Sequence, residues 1–125
     1  HPLLWETETI DYCRKNNIVV EAYSPLARND PKLMDAPLMK SLASKYGKTV
    51  AQIAIRWSVQ NNFVSIPKSK TEKFIKDNLE VFDFELTAEE MEQVKALNAT
   101  STPAGTLMIS STDSLSYSQT VASDA

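Results

Sequence analysis

Two short apolar runs constrain the fold of this chain more than any other feature. Residues 18–23 (Ile-Val-Val-Glu-Ala-Tyr) and residues 63–66 (Phe-Val-Ser-Ile) are rich in β-branched and aromatic side chains, and a pair of asparagines precedes each run. The segment between them is patterned for helices, and strands joined through helices pair in parallel with a right-handed crossover. The sequence therefore predicts an α/β fold in which both runs are buried strands of a parallel sheet.

About four to five helices accompany these strands, because apolar residues recur at helical spacing elsewhere. The predicted helical segments are 6–16, 37–46 and the stretches that begin after Thr49, Thr71 and Thr87. Gln52 and Glu90 each stand three residues after a threonine, which predicts two capping boxes. Residues 24–36 contain two prolines and are predicted to be a loop. Two strands cannot close a barrel or cover both faces of a parallel sheet, so the predicted fold needs more sheet than this chain contains.

The composition changes near Asn98. All 13 basic residues lie before it, and 12 of the 28 residues from 98 to 125 are Ser or Thr. Such a segment has too little apolar surface to offset the entropy of ordering it. We therefore predict a folded part at residues 1–97 and a disordered tail at residues 98–125.

Charge and cysteine content exclude several classes of partner. The net charge of −3 gives no general attraction to nucleic acid or to an anionic membrane, and no apolar run is long enough to span a bilayer. Cys13 is the only cysteine, which favours a reducing compartment, so we predict a cytoplasmic protein without a metal site. Three other cations are interpreted as charged side chains on a solvent-exposed face, namely Lys45, Lys48 and Arg56.

Polar residues follow both predicted strands. In parallel α/β folds, ligands bind beyond the carboxyl ends of the strands. Residues 67–71 (Pro-Lys-Ser-Lys-Thr) lead there into a helix, and they combine two ammonium groups, two hydroxyls and the positive end of a helix dipole. This combination predicts a phosphate site. Tyr23, at the end of the other strand, could stack on a flat group, so the two segments together suggest a nucleotide ligand.

These segments resemble motifs of the aldo-keto reductase family. The matching motifs are Ala22-Tyr23-Ser24-Pro25-Leu26, Gly47-Lys48-Thr49-Val50-Ala51-Gln52, Arg56-Trp57, Ile66-Pro67-Lys68-Ser69 and the run from Asn78 to Leu86. They stand in the family's order and spacing and extend the match over residues 1–98. The resemblance implies the C-terminal portion of a (β/α)8 TIM barrel, from a reductase that transfers hydride between NAD(P)H and an aldehyde or ketone.

The resemblance also implies which residues hold the dinucleotide. The expected cofactor-binding residues are Tyr23, Ser24, Leu26, Lys68, Ser69, Thr71, Phe74, Asp77 and Asn78. Among these, Tyr23 would stack on the nicotinamide, and Ser24 and Leu26 would contact the pyrophosphate.

The other half of the cofactor is expected on the second loop and the helix after it. Lys68 would pair with the 2′-phosphate of the adenosine ribose, and Ser69 and Thr71 would bond to the same phosphate. Asp77 and Asn78 would hold the adenine, although the family usually has Glu at the position of Asp77.

One departure from the family concerns the choice of cofactor. Phe74 stands where the family commonly has an arginine that stacks on adenine and touches the 2′-phosphate. Phe74 can stack but cannot pair with phosphate. Either Lys70 or Lys73 supplies the missing charge, or this chain tolerates the cofactor without that phosphate. The predicted cofactor is therefore NADP(H), with NAD(H) as an alternative.

The family's catalytic residues are Asp, Tyr, Lys and His on earlier strands, and none of them lies in this sequence. His1 matches a later part of the family's sequence, so no catalytic residue is predicted. Two hypotheses follow. The chain is part of a reductase, inactive alone, whose complete protein acts on a small carbonyl substrate. Alternatively, it is a non-catalytic module that binds a nucleotide or another protein.

Overall fold

The structure is a computed structural model, and it describes residues 1–101. In chain order its elements are α1 (Thr7–Lys15), β1 (Val20–Ala22), a 3-10 turn (Ala27–Asn29), α2 (Pro31–Met34), α3 (Pro37–Tyr46), α4 (Val50–Gln60), β2 (Phe63–Ser65), α5 (Glu72–Leu79) and α6 (Ala88–Ser101). The two strands pair in parallel, with Val20 beside Phe63 and Ala22 beside Ser65, which confirms the predicted pairing. None of the helices in this part of the chain is long and apolar enough to cross a membrane.

Side chains at the helix ends explain where α4 and α6 begin. The Thr49 hydroxyl accepts from the Gln52 N–H (3.2 Å), and the Gln52 side chain accepts in return from the Thr49 N–H (2.9 Å). Thr87 and Glu90 exchange the same two bonds at 3.2 and 2.8 Å. Both predicted capping boxes are confirmed, and each satisfies two backbone donors that the first turn of a helix leaves unpaired. At the end of α3, Gly47 has φ +62°, a left-handed conformation that glycine adopts without steric cost.

The same turn leads into both strands. Asn16 and Asn61 end α1 and α4, and the side-chain amide of each donates to the carbonyl four residues earlier, at 2.8 and 2.9 Å. The next residues, Asn17 and Asn62, have φ of 56° and 61°. Asparagine enters this left-handed region more readily than most residues because its short polar side chain can bond locally. The asparagine pairs therefore form one kind of helix-to-strand turn, used twice.

The apolar core lies between the helices and one face of the sheet. Its fully buried side chains include Leu33, Met39, Ile53, Trp57 and Val94. The Trp57 indole N–H donates to the Met91 carbonyl (3.1 Å), and its ring meets Trp5 edge to face with 5.6 Å between centroids. Helix α4 supplies more buried residues than any other described element, so it is the centre of this core.

The other face of the sheet is open. Val19 and Tyr23 are 71% and 69% exposed, and Val64 and Ile66 are exposed as well. Successive side chains of a strand point to opposite faces, so only every second residue of each run reaches the core. The prediction of two buried strands is therefore wrong for this face. The physical reason is that two strands and one helical layer cover only one side of a parallel sheet.

Two segments differ from their predicted boundaries. Residues 24–36 are not a loop throughout, because Asp30 accepts from the Lys32 N–H (2.9 Å) and Pro31 starts the short helix α2. The Asp-Pro pair is a helix-start pattern, so the sequence did carry this information. At the other end, α6 continues to Ser101, which makes the first residues of the predicted tail helical. The rest of that tail, residues 102–125, lies outside the described residues.

Candidate functional site

The two segments that were predicted to bind a ligand leave the sheet at the same edge. Because Ala22 and Ser65 are partners in a parallel pair, the chain emerges from both strands on one side. Residues 23–29 and residues 66–71 then form two neighbouring loops, and we call this region the carboxyl edge. Parallel α/β folds place their ligand sites at such an edge.

The first loop has a strained backbone. Ser24, Ala27, Arg28 and Asn29 all have positive φ, between 48° and 61°. A non-glycine residue in this region costs about 1–2 kcal/mol. Three backbone bonds hold the turn: the Ala27 N–H donates to the Ser24 carbonyl (2.8 Å), the Asn29 N–H to the Leu26 carbonyl (2.9 Å) and the Asp30 N–H to the Ala27 carbonyl (3.0 Å). Backbone strain of this kind clusters at functional sites, which makes this loop a candidate.

Tyr23 and Arg28 are joined across this turn. The Arg28 Nη2 donates to the Tyr23 phenol oxygen at 3.0 Å, and both side chains are exposed. Among residues 1–101, no carboxylate lies within ion-pair distance of Arg28. The sequence pattern predicted a role for Tyr23 but not for Arg28. The bond between them forms across a left-handed turn, and no sequence motif predicted that turn.

The second loop presents hydroxyl and ammonium groups. The Ser69 hydroxyl oxygen accepts from the Thr71 N–H at 3.1 Å. Thr71 stands at the start of α5 as predicted, but its own side chain makes no capping bond there. Lys68 and Lys70 are exposed, and neither forms an ion pair within the described chain. Two ammonium charges therefore remain uncompensated at this loop.

The remaining predicted residues lie along α5. The Phe74 ring is 53% exposed, and the Lys73 ammonium lies 5.7 Å from its centroid. Lys73 also forms an ion pair with Asp77, with 2.6 Å between Nζ and Oδ2. Asn78 follows and is half-buried. Lys70 and Lys73 were the two candidates to replace the positive charge of the family's arginine. The ion pair with Asp77 compensates the charge of Lys73, whereas Lys70 forms no ion pair within residues 1–101.

A polar groove of about 340 Å³ separates α5 from the start of α4. It is lined by Gly47, Lys48, Thr49, Gln52, Lys73, Asp77 and Glu80. The Gln52 side-chain amide donates to the carbonyls of Asp77 (3.0 Å) and Glu80 (3.1 Å), while its oxygen caps α4. One side chain therefore holds both walls of the groove. The capping pattern predicted the bond between Gln52 and Thr49, whereas no sequence pattern predicted the contact of Gln52 with α5.

Two of the three cations that were interpreted as a solvated face, Lys48 and Arg56, are structural cross-links, so the interpretation is wrong for these two. The Lys48 side chain is only 14% exposed, and its ammonium bonds to Asp83 (2.7 Å) and to the Glu80 carbonyl (3.2 Å). The hydrogen bond from Lys48 lowers the pKa of Asp83. Arg56 donates to the Val81 carbonyl at 3.3 Å. Both cations bind the segment after α5, which fixes where that helix ends.

Lys45 takes part in a cluster at the contact between α3 and α6. The Glu90 carboxylate is buried and accepts from the Lys45 ammonium (2.6 Å), the Tyr46 hydroxyl (2.6 Å) and the Thr87 N–H (2.8 Å). Burial alone would raise the pKa of Glu90, but the bonds from these three donors outweigh it and lower that pKa to about 2. The bond to Glu90 also raises the pKa of Tyr46. Glu90 therefore stays ionised and stabilises the packing of the two helices.

The chemistry that this arrangement allows is recognition of an anion that also carries a flat group. The carboxyl edge holds one exposed aromatic ring, Tyr23, and three cations that form no ion pair within residues 1–101, namely Arg28, Lys68 and Lys70. Phosphate groups bind to such cations through charge-assisted hydrogen bonds. Within the same residues, no group of three or more His, Cys, Asp or Glu side chains could hold a metal ion.

Comparison with known proteins identifies one family. Residues 1–99 match the Aldo/keto reductase family. The "Uncharacterized oxidoreductase YtbE" of Bacillus subtilis (strain 168) is 46% identical over 98 residues, which cover 78% of this chain and 34% of the relative. Aldo-keto reductase family 1 member A1 of Gallus gallus is 48% identical over 106 residues, with 78% and 32% covered.

The structural comparison agrees. The crystal structure of MGS-M4, an aldo-keto reductase enzyme from a Medee basin deep-sea metagenome library, superposes with a TM-score of 0.77 at 39% identity. The match covers 89% of this chain and 41% of that one. The chain thus spans about a third of the length of the curated relatives that it matches.

Proposed function

Since this chain belongs to the aldo/keto reductase family, a family of oxidoreductases, we propose that it is the cofactor-binding, C-terminal portion of an NAD(P)H-dependent aldehyde or ketone reductase. The observation that carries the proposal is the carboxyl edge, where two paired strands are followed by the exposed Tyr23 ring and by the Lys68 ammonium, which forms no ion pair within residues 1–101. When bound, the nicotinamide cofactor supplies the hydride. The residues of this chain bind and orient it.

The first loop fits the nicotinamide half of the cofactor. The ring of Tyr23 lies on the sheet face that is open in this chain, where the interior of a complete barrel would be. A flat aromatic ring in that position can stack on a nicotinamide. Ser24 and Leu26 belong to the strained turn that follows, and we propose that this turn contacts the diphosphate through its backbone.

The second loop fits the adenosine half. Lys68 has no carboxylate partner within the described residues, and the hydroxyls of Ser69 and Thr71 stand beside it in sequence. We assign these three residues to the 2′-phosphate. We assign Asp77 and Asn78, one turn further along α5, to the adenine, against which the exposed Phe74 ring stacks.

The same contacts favour NADP(H) while tolerating NAD(H). Lys73 is held by Asp77, so it is a weaker candidate for the phosphate than Lys70, which has no ion-pair partner within residues 1–101. Lys68 is then the main ligand of the 2′-phosphate. Because an arginine contact is missing at Phe74, the preference for NADPH over NADH should be smaller than in a relative that has the arginine.

The open face of the sheet supports an alternative. Val19, Tyr23, Val64 and Ile66 form an exposed and largely apolar surface, which is typical of a site that contacts further protein. This chain could therefore belong to a non-catalytic member of the family that binds a nucleotide or another protein without turnover. A small carbonyl substrate belongs only to the first proposal.

A binding experiment on the purified 125-residue chain tests the proposal. Titration of NADPH and NADH, followed by the fluorescence of the reduced nicotinamide, should show binding of both. The Lys68→Ala variant should weaken NADPH by roughly ten- to a hundredfold and leave NADH nearly unchanged, because it removes one charge-assisted contact to the 2′-phosphate. Lys15→Ala, an exposed cation at the end of α1, is the matched control and should change neither.

The same preparation tests the role in catalysis. General acid catalysis needs a positioned proton donor, and the family's donor is not part of this sequence. The chain should therefore bind cofactor without oxidising NADPH in the presence of a simple aldehyde. Turnover would contradict the assignment of an inactive portion. Failure to bind either cofactor would contradict the cofactor site and favour the form of the alternative in which the chain binds another protein.

A further inference from the structure

Helix α5 carries residues that we assigned to the adenosine half of the cofactor, yet none of its side chains is buried within residues 1–101. Its apolar side chains Phe74, Ile75 and Leu79 are all exposed. Most helices of folded proteins are held in place by an apolar face that packs on the core. Because α5 lacks such packing in the described part of the chain, its position depends on polar contacts.

Two side chains near the start of α4 make those contacts. The Gln52 amide nitrogen donates to the carbonyls of Asp77 (3.0 Å) and Glu80 (3.1 Å). The Lys48 ammonium donates to the Glu80 carbonyl as well, at 3.2 Å. The last carbonyls of a helix have no partner inside the helix, so donors from another segment can stabilise them. Gln52 therefore joins the C-terminal end of α5 to the first turn of α4.

The orientation of the Gln52 amide is set by its own helix. The amide oxygen accepts from the Thr49 N–H (2.9 Å) and from the Thr49 hydroxyl (3.1 Å). A side-chain amide carries its acceptor and its donors on opposite sides, so the N–H groups of Gln52 must face α5. The side chain is buried, and water cannot easily replace either set of bonds. The first turn of α4 and the last turn of α5 are thereby held at a fixed separation.

We propose that Gln52 is a positioning residue for the adenosine half of the dinucleotide, and that it acts through α5. This inference rests on the proposed function, in which Asp77 and Asn78 bind the adenine. Gln52 holds the carbonyl of Asp77, and Lys73 holds its carboxylate at 2.6 Å. Asn78 follows Asp77 directly in the helix. A shift of α5 against α4 would therefore move both adenine contacts together.

Gln60 offers an internal comparison, because it makes the same kind of bonds at the other end of α4. Its amide nitrogen donates to the Leu86 carbonyl (2.9 Å), and its oxygen accepts from the Leu86 N–H (2.8 Å). The end of α4 leads directly into β2, so Gln60 lies near the start of that strand, about two turns away from Gln52. Both glutamines join α4 to a distant backbone segment, but only Gln52 bonds to the helix that is assigned to the adenosine.

Dissociation constants for NADPH, NADH and adenosine 2′,5′-bisphosphate test the inference in the full 125-residue chain. Gln52→Met keeps the size of the side chain but removes its hydrogen bonds, and it should weaken all three ligands roughly three- to tenfold. The ratio of the NADPH and NADH affinities should not change, because the adenine is common to both. Gln60→Met is the matched control: it should lower the free energy of unfolding to a similar extent and leave all three affinities unchanged.

A second variant separates the link to α5 from the cap of α4. Gln52→Glu keeps an oxygen that can accept from the Thr49 N–H, but it places another acceptor against the carbonyls of Asp77 and Glu80. It should therefore weaken the three ligands at least as much as Gln52→Met does. An affinity equal to that of the unmodified chain would show that the bonds to α5 do not position the adenosine site.

A measurement on the unmodified chain does not depend on whether the variants fold. In NMR spectra, the side-chain amide resonances of Gln52 should shift on addition of adenosine 2′,5′-bisphosphate, whereas those of Gln60 should not. Unshifted Gln52 resonances, unchanged affinities in Gln52→Met, or an equal loss of affinity in Gln60→Met would each overturn the inference and leave the cofactor site intact. If the unmodified chain bound none of the three ligands, the proposed function itself would fail.

Discussion

The two edges of the small sheet are built in opposite ways. At the amino edge, both strands are entered through the same Asn-Asn turn, with matching side-chain bonds of 2.8 and 2.9 Å and a left-handed residue before each strand. At the carboxyl edge, the two loops share no conformation: residues 24–29 form a strained left-handed turn, and residues 66–71 are free of positive φ. A local backbone requirement explains a turn that is used twice. Two unlike loops fit a ligand with two unlike ends, which the proposed dinucleotide has.

This contrast separates stability from binding. In barrels of parallel strands and helices, the amino side of the sheet serves stability and the carboxyl side carries the ligand site. Apart from Gln52, whose side chain holds α5, substitutions at the amino edge or in the helical layer should therefore change the free energy of unfolding and leave cofactor affinity unchanged. Substitutions at the carboxyl edge should do the reverse. Four experiments test this separation, in order of decreasing expected effect.

The largest effect is expected at Glu90, in the helical layer that supports both edges. Glu90→Gln should lower the free energy of unfolding by about 1.5–3 kcal/mol, because it weakens charge-assisted bonds from Lys45 and Tyr46. Urea unfolding at pH 7 measures the loss. The control is Glu89→Gln, on the exposed side of α6, which should leave the free energy of unfolding almost unchanged. Both variants should bind NADPH with the affinity of the unmodified chain.

The pH dependence of stability gives the same cluster a second test. The pKa of Glu90 falls from 4.5 to about 2 on folding, so the unfolded chain binds the proton more readily than the folded one. The stabilisation is therefore complete above pH 4.5 and is lost as the pH falls towards 2. Glu90→Gln should remove this part of the acid dependence. An unchanged acid profile in the variant would mean that other carboxylates dominate the titration.

A smaller effect, on binding alone, is expected at Phe74 on the carboxyl side. Phe74→Arg adds a cation near the proposed 2′-phosphate, so NADPH should bind roughly tenfold more tightly, which corresponds to about 1.4 kcal/mol. NADH affinity and the free energy of unfolding should stay nearly the same, because the side chain is 53% exposed. Fluorescence titration with both cofactors checks this result. An unchanged ratio of the two dissociation constants would show that Phe74 does not lie beside the phosphate.

The smallest effect concerns the twin turns of the amino edge. Asn17→Ala and Asn62→Ala should each cost about 0.5–1 kcal/mol, because alanine enters the left-handed region less easily than asparagine. The corresponding glycine variants should be close to neutral. Thermal unfolding of all four variants measures the pairs side by side. Clearly different losses for the two alanine variants would show that the turns are alike in geometry but not in the strain that they bear.

Local features of this fold could be predicted from sequence, and contacts between distant segments could not. The caps at Thr49 and Thr87 and the left-handed end at Gly47 depend on neighbouring residues, so a pattern of a few residues predicts them. The contacts of Lys48 and Arg56 join α4 and its preceding turn to the segment after α5. Nothing in the spacing of single charges shows which carbonyl they will reach, and both were wrongly assigned to solvent.

The candidate site follows the same rule. The sequence was enough to predict that the strand ends at Tyr23 and Ile66 lie close together, because two parallel paired strands end on the same side of the sheet. The contact roles given to residues such as Ser24 and Asn78 came from resemblance to a family, and they stay predictions. The bond from Arg28 to Tyr23 was not predicted, because it depends on a backbone angle, φ 55° at Arg28, and joins side chains five residues apart.

The pairing of Val20 with Phe63 also has a consequence for the order of folding. The helices α3 and α4 lie between the two strands and are close in sequence, so they can associate early. The strands can pair only after the long segment between them has folded back, which costs loop-closure entropy. During that interval both β-branched runs have unpaired edges. Strands of different molecules can then associate in place of the native partner. The yield of correctly folded chain should therefore fall as refolding is carried out at higher protein concentration.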